Sequence, residues 1–406
     1  MLIRTAATTL ALVLNSLAIL AEENPPGYDS ASLPKGTDYF NLREGLANAR
    51  RTFAVAKKGR VAFLGGSITA SGGWRDLTMK FLETTFPETQ FEFVAAGIPS
   101  LGSVPHAFRL ERDVLSKGPI DLLFVEAAVN DTTNIPDLPD QMLRGMEGVV
   151  RHLRESNPLT DIVHLHFAMP SHLDDFRAGR IPISIERHET VAAAYGNASL
   201  NLSREVADRI DAGQFTWEGD FKGLHPSPFG HRLYADSIAR MLLAAFAGPL
   251  TPTPQRHALP ETLDPKSYAR GRLGDITTAR PIRGFVLDPA WKATDGKGTR
   301  LGFVDVPALV ATVPGAEFSF DFEGRGCGLF LTAGPDAGRI EYRLDEGEWR
   351  TLETFTQWSA DLHLPWAVLL DDGLDPGKHT ATVRVAASHH ENSKGTALRV
   401  FHLLLN

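Results

Sequence analysis

Cysteine is almost absent: Cys327 is the only one in 406 residues. A lone cysteine excludes an intrachain disulfide and any zinc cluster built on thiolates. An excess of positive charge is also missing. The 41 lysines and arginines stand against 49 aspartates and glutamates, a formal net charge of −8, which argues against nucleic acid held through bulk charge. Beyond the N-terminal segment no stretch is apolar and long enough to span a bilayer. The 36 glycines and 26 prolines follow no fixed period, so a fibrous or repeat architecture is excluded and a turn-rich, strand-containing protein is favoured. What the chain does have is 43% hydrophobic residues, enough for two or three domain cores and too many for an intrinsically disordered chain.

Arg4 is the only charge before Glu22, and the apolar runs Leu10–Leu14 and Leu17–Leu20 lie between them. With small residues at Ser16, Ala18 and Ala21, residues 1–21 read as a secretory signal peptide. Export without disulfides suits a bacterial periplasmic or extracellular enzyme. A leader with a helix follows over 22–58. From 59 to 248 buried strand patterns (Val61–Leu64, Phe91–Val94, Asp121–Val125, Ile162–Phe167, Ala198–Leu202) alternate with helical ones, including Phe108–Leu115 and Met142–Leu153. Such alternation predicts a mostly parallel sheet covered on both faces, with ligands at the carboxyl ends of its strands. Residues 249–275, with Pro249, Pro252, Pro254 and Pro260, read as a Pro-rich linker. Over 276–406 period-two runs such as Phe318, Phe320, Phe322 and Ile340, Tyr342, Leu344 predict an antiparallel, jelly-roll-like β-sandwich.

Ser67, in Phe63-Leu64-Gly65-Gly66-Ser67-Ile68-Thr69, sits where a buried strand ends in two glycines. A serine there can be a nucleophile whose own N–H faces a developing oxyanion. The Gly-x-Ser-x-Gly elbow is not met, because position 69 is threonine. Gly97 ends the second strand and would let backbone approach a substrate closely. Asn130-Asp131 follows the third strand, and the Asn130 amide can donate to an oxyanion. The loop Gly219-Asp220-Phe221-Lys222-Gly223-Leu224-His225 supplies an imidazole to activate the serine and a nearby carboxylate to hold that imidazole. Trp217 and Trp74 are candidates to line the pocket. Asp131 reads as a turn or cap residue, Glu126 as a group supporting the asparagine segment, His164 and His166 as core histidines, and His231 as a capping or surface residue.

These four blocks, in this order, resemble the SGNH/GDSL hydrolase family. The resemblance covers about residues 60–245 and places the nucleophile at Ser67, the oxyanion donors at Ser67, Gly97 and Asn130, and the base at His225. It implies a flavodoxin-like three-layer α/β/α domain, acyl transfer through an acyl-enzyme, and no cofactor or metal. The family's Asp-x-x-His pattern would put the acid at position 222, which is lysine. Asp220 is the expected third member, with a Ser-His dyad as the alternative. An exported chain with an appended sandwich and no apolar lid resembles bacterial carbohydrate O-acetylesterases, so the expected partner is an acetylated polysaccharide or oligosaccharide. A lipase or lysophospholipase, or a non-catalytic carbohydrate-binding protein, is the alternative. Neither nucleic acid nor, after signal cleavage, membrane is expected as a partner, and oligomeric state is left open.

Overall fold

A computed structural model describes residues 24–406; the expected signal peptide lies outside them. The chain divides into two compact units, one running to Ser103 and from Asp113 to Leu263, the other comprising Val104–Arg112 and Asp264–Asn406.

The first unit is built on a six-stranded sheet of β1 (Phe40–Asn41), β2 (Lys58–Gly65), β3 (Gln90–Gly97), β4 (Leu122–Val125), β5 (Asp161–Leu165) and β6 (Ala198–Leu200). Their order is β1-β6-β5-β4-β2-β3. Strands β2 to β6 are parallel, and β1 adds antiparallel to β6. Without β1 this is the doubly wound flavodoxin order, whose crevice opens where the chain reverses direction across the sheet, between β2 and β4. Successive residues of β2 point to opposite faces. Val61 and Phe63 join Leu82 and Ile238 in one apolar cluster, and Ala62 and Leu64 on the other face are equally buried. Burial on both faces explains why the strand sequence is a continuous apolar run.

In the second unit a seven-stranded and a five-stranded sheet contribute to one apolar cluster. The strand Glu317–Gly324 pairs antiparallel with Gly377–His389 and turns Phe318, Phe320 and Phe322 inward. Cys327 is buried among these side chains, and burial pushes its thiol above the ordinary range. The helix expected around Phe108 spans Ser103–Asp113 and mostly belongs to this unit. Phe108 packs on Tyr268, ring centroids 5.5 Å apart, and Arg112 Nη1 lies 3.0 Å from His402 Nε2.

The expected linker is divided between the units. Residues 249–263 hold no helix or strand, yet they are strapped to the first unit, while Arg272–Asp275 is already a strand of the second. Asn48 exchanges hydrogen bonds with the Gln255 backbone, and Arg151 and Arg154 donate to the carbonyls of Pro260 and Ala258. His257 is inserted between two carboxylates, Nε2 at 2.7 Å from Asp161 and Nδ1 at 3.0 Å from Glu44. Burial alone would lower the His257 pKa, but its hydrogen bonds to Asp161 and Glu44 outweigh that and raise it above 6.5.

Removing one partner of a buried pair leaves the other uncompensated, so His257→Ala is expected to cost about 3 kcal/mol. A raised folded-state pKa means that the charged pair contributes fully below the unfolded value and is lost as pH rises through the folded one. Thermal melts should therefore show the largest gap between wild type and His257→Ala below about pH 6.5, narrowing at higher pH. A gap that widens with pH would contradict this.

Candidate active site

Strand β2 ends at Gly65, and one short helical turn, Ser67–Ala70, follows before the helix Trp74–Thr85. Three contacts lock that turn in place. A Cβ on Gly97 would lie 2.5 Å from the Ala70 nitrogen and 2.8 Å from the Thr69 carbonyl carbon, so the end of β3 touches the backbone of the turn. A Cβ on Gly66 would lie 2.0 Å from Asn130 Oδ1, so the Asn130 side chain covers the residue before the serine. The buried Glu126 carboxylate accepts the Gly66 N–H at 2.5 Å and the Thr69 hydroxyl at 3.0 Å. Asn130 belongs to the helix Ala128–Asn134 beyond β4. Its half-buried side-chain amide has no hydrogen bond among the described residues.

The imidazole comes from the far end of the unit. Thr216 begins a turn over Trp217–Phe221 and accepts the Gly219 N–H. Phe221 is fully buried, stacked on Trp217 with centroids 4.8 Å apart. Ser227 then caps the helix Pro228–Phe246 by accepting the Gly230 N–H, and its hydroxyl donates to the Asp220 carbonyl at 2.6 Å. Between these anchors His225 reaches back to the serine: Nε2 lies 2.8 Å from Ser67 Oγ across 158 residues of sequence.

Asp220 is not brought to His225. Its carboxylate accepts the Thr216 N–H at 2.8 Å and the Thr216 hydroxyl at 2.9 Å. Lys222, at the position of the family's acid, takes a left-handed conformation, φ 67°. His225 Nδ1 has no hydrogen-bond partner among the described residues. Trp74 is in the core rather than a pocket: its indole donates to the Ile68 carbonyl and its ring meets Phe63, Phe124 and Phe167 edge-on. Trp217 lines a cleft of about 510 Å³ with Arg177, Phe215, Glu218 and Asp220, and neither Ser67 nor His225 is among its walls.

The other polar residues are structural. Asp131 accepts the Ser103 N–H and pairs with His188 at 2.9 Å. His231 Nδ1 accepts the Trp74 N–H at the start of its helix. His164 meets the Asn197 amide at 3.0 Å and His166 meets Glu189 at 2.7 Å, and burial pushes both imidazoles below the ordinary range. Among the described residues no cluster of three or more His, Cys, Asp or Glu could hold a metal. Sequence reasoning left the contacts of Glu126 unresolved. The only signal was a carboxylate directly after a fully apolar strand, where a charge is rarely buried without a partner.

A serine and an imidazole in hydrogen-bond contact at a strand-end crevice, with an amide beside them, are the parts of an acyl-transfer site. In agreement, residues 63–233 match the model of the GDSL-like lipase/acylhydrolase family. Two solved structures share the two-unit fold. One is a two-domain esterase active on acetylated mannans, co-crystallised with mannopentaose: 20% identity, TM-score 0.71, covering 90% of this chain and 97% of that one. The second is also a two-domain esterase active on acetylated mannans: 20% identity, TM-score 0.70, covering 90% and 98%. No curated protein matches the chain.

If Gly66 must be bare to admit Asn130, Gly66→Ala should displace that amide. Loss of one oxyanion donor costs about 10²–10³ in rate. Turnover of p-nitrophenyl acetate should fall by that order, and a variant with near wild-type turnover would contradict the placement of Asn130.

Proposed function

We propose that this protein is an exported serine esterase that removes acetyl groups from an O-acetylated polysaccharide. The observation that carries the reading is the 2.8 Å contact of Ser67 Oγ with His225 Nε2 at the β2/β4 crevice. With Nδ1 protonated, Nε2 takes the hydroxyl proton as Ser67 Oγ bonds to the acetyl carbonyl carbon. The carbonyl oxygen becomes an oxyanion facing the Ser67 and Gly97 N–H groups and the Asn130 amide. The imidazolium then gives its proton to the departing sugar oxygen, leaving an acetyl-enzyme. Water, deprotonated by His225, attacks that ester, and acetate leaves as Ser67 recovers its proton.

The engagement of Asp220 by Thr216 favours a Ser-His pair, with Asp220 holding the loop that carries the imidazole. Saccharide as the acyl carrier is supported by the shared two-unit fold with an esterase active on acetylated mannans. Acetylated mannan is therefore the first substrate to assay, beside acetylated xylan and a p-nitrophenyl chain-length series.

Acetate release should be abolished by Ser67→Ala and by His225→Ala. Loss of a triad aspartate costs about 10⁴ in kcat, whereas Asp220→Ala should retain at least about a tenth of the activity if the pair works alone. Full activity of Ser67→Ala, or a preference for long acyl chains, would overturn the reading; a loss near 10⁴-fold in Asp220→Ala would restore the triad.

A further inference from the structure

Glu126 is 2% exposed and follows β4 directly. Its Oε1 accepts two hydrogen bonds from the segment that carries the proposed nucleophile, one from the Gly66 N–H just before Ser67 and one from the Thr69 hydroxyl just after it. Its own N–H donates to the Leu64 carbonyl at 3.0 Å, so its backbone is registered to β2. The same carboxylate explains why β2 ends in a bare residue: a Cβ on Gly65 would lie 2.3 Å from Glu126 Oε1 and 2.3 Å from Thr69 Oγ1. Gly65, Gly66 and Thr69 thus share one partner across the sheet.

From this juxtaposition we propose that Glu126 is a positioning residue for catalysis, selecting which backbone N–H of the Ser67 turn is free to face substrate. The turn has no side-chain cap of its own, because the residue before Ser67 is glycine. Glu126 supplies the missing acceptor. It consumes the Gly66 N–H and leaves that of Ser67 as the first donor of the turn with no acceptor among the described residues, free to face an oxyanion. Thr69 ties the far end of the turn to the same oxygen, so Ser67 is clamped on both sides. Charge-assisted hydrogen bonds to a buried carboxylate are about twice as strong as neutral ones, which suits a clamp that must hold the turn through each catalytic cycle.

The inference rests on Ser67 as nucleophile, which labelling of the wild type by an alkyl fluorophosphonate at Ser67 tests separately. Glu126→Ala, Glu126→Gln, Thr69→Val and the double variant Glu126→Ala/Thr69→Val are assayed on p-nitrophenyl acetate, with rates normalised to phosphonate-titrated sites. In Glu126→Ala kcat should fall at least about fiftyfold with KM within twofold, the signature of an interaction that matters in the transition state. Glutamine keeps an acceptor oxygen, so Glu126→Gln should recover to within about tenfold of wild type. Thr69→Val should lose severalfold in kcat alone, and the double variant should be no worse than Glu126→Ala, because both act through one clamp. Hydrogen exchange over residues 65–70 gives a readout independent of turnover and should be at least tenfold faster in Glu126→Ala or, if that variant does not fold, in Thr69→Val. Unchanged kcat per titrated site, a change confined to KM, or unchanged exchange would overturn the proposal.

Discussion

The candidate site depends on one packing constraint: the turn after β2 is held against the ends of both neighbouring strands with no room for a side chain at the points of contact. Gly97 lies against the Thr69–Ala70 peptide from the β3 side, while Asn130 and Glu126 press on Gly66 and Gly65 from the β4 side. The strand order makes this possible, because β2 lies between β3 and β4 in a parallel sheet and all three chains leave it at the same edge. Chain reversal at that point opens the crevice. Hydrogen bonds from Gly66 and Thr69 to a single buried oxygen then hold the turn within it.

The imidazole reaches the same point by a different device. It is carried on a short irregular stretch pinned by the buried Phe221 on one side and the Ser227 cap on the other. Thr216 and Asp220 close the preceding turn on themselves, so the carboxylate nearest in sequence stabilises the loop instead of the imidazole. Elsewhere in the unit, polar groups are buried in pairs, such as Asp131 with His188 and Arg209 with Glu205, which lowers the cost of removing them from water.

Much of this was legible in the sequence because it is local. A buried apolar run ending in Gly-Gly-Ser is a strand meeting its ligand edge, and the order of Ser67, Gly97, Asn130 and His225 along the chain follows the order in which a doubly wound sheet presents its strand ends. What was not legible depends on contacts between distant residues. The separation of Asp220 from His225 by five positions cannot say that Thr216 captures the carboxylate first. Trp74 stands near the serine in sequence, yet it shares a helical face with Thr78, Phe81 and Leu82, and that face is buried. Prolines 249 to 260 suggested an extended linker, but proline governs only backbone conformation, and His257 ties that stretch to Asp161. The two-residue β1 is too short to leave a periodic signal, and the helix around Phe108 carries an apolar face that does not announce which unit it joins.

The most direct test of the account is to trap the acyl-enzyme. Wild-type protein mixed with excess p-nitrophenyl acetate and quenched in acid within the burst should carry one acetyl group, which peptide mapping by mass spectrometry should place on Ser67. Turnover with the acetyl group on another residue, or with no covalent species under conditions where p-nitrophenolate release shows a burst, would contradict a nucleophilic Ser67 and with it the catalytic reading of the whole strand-end site.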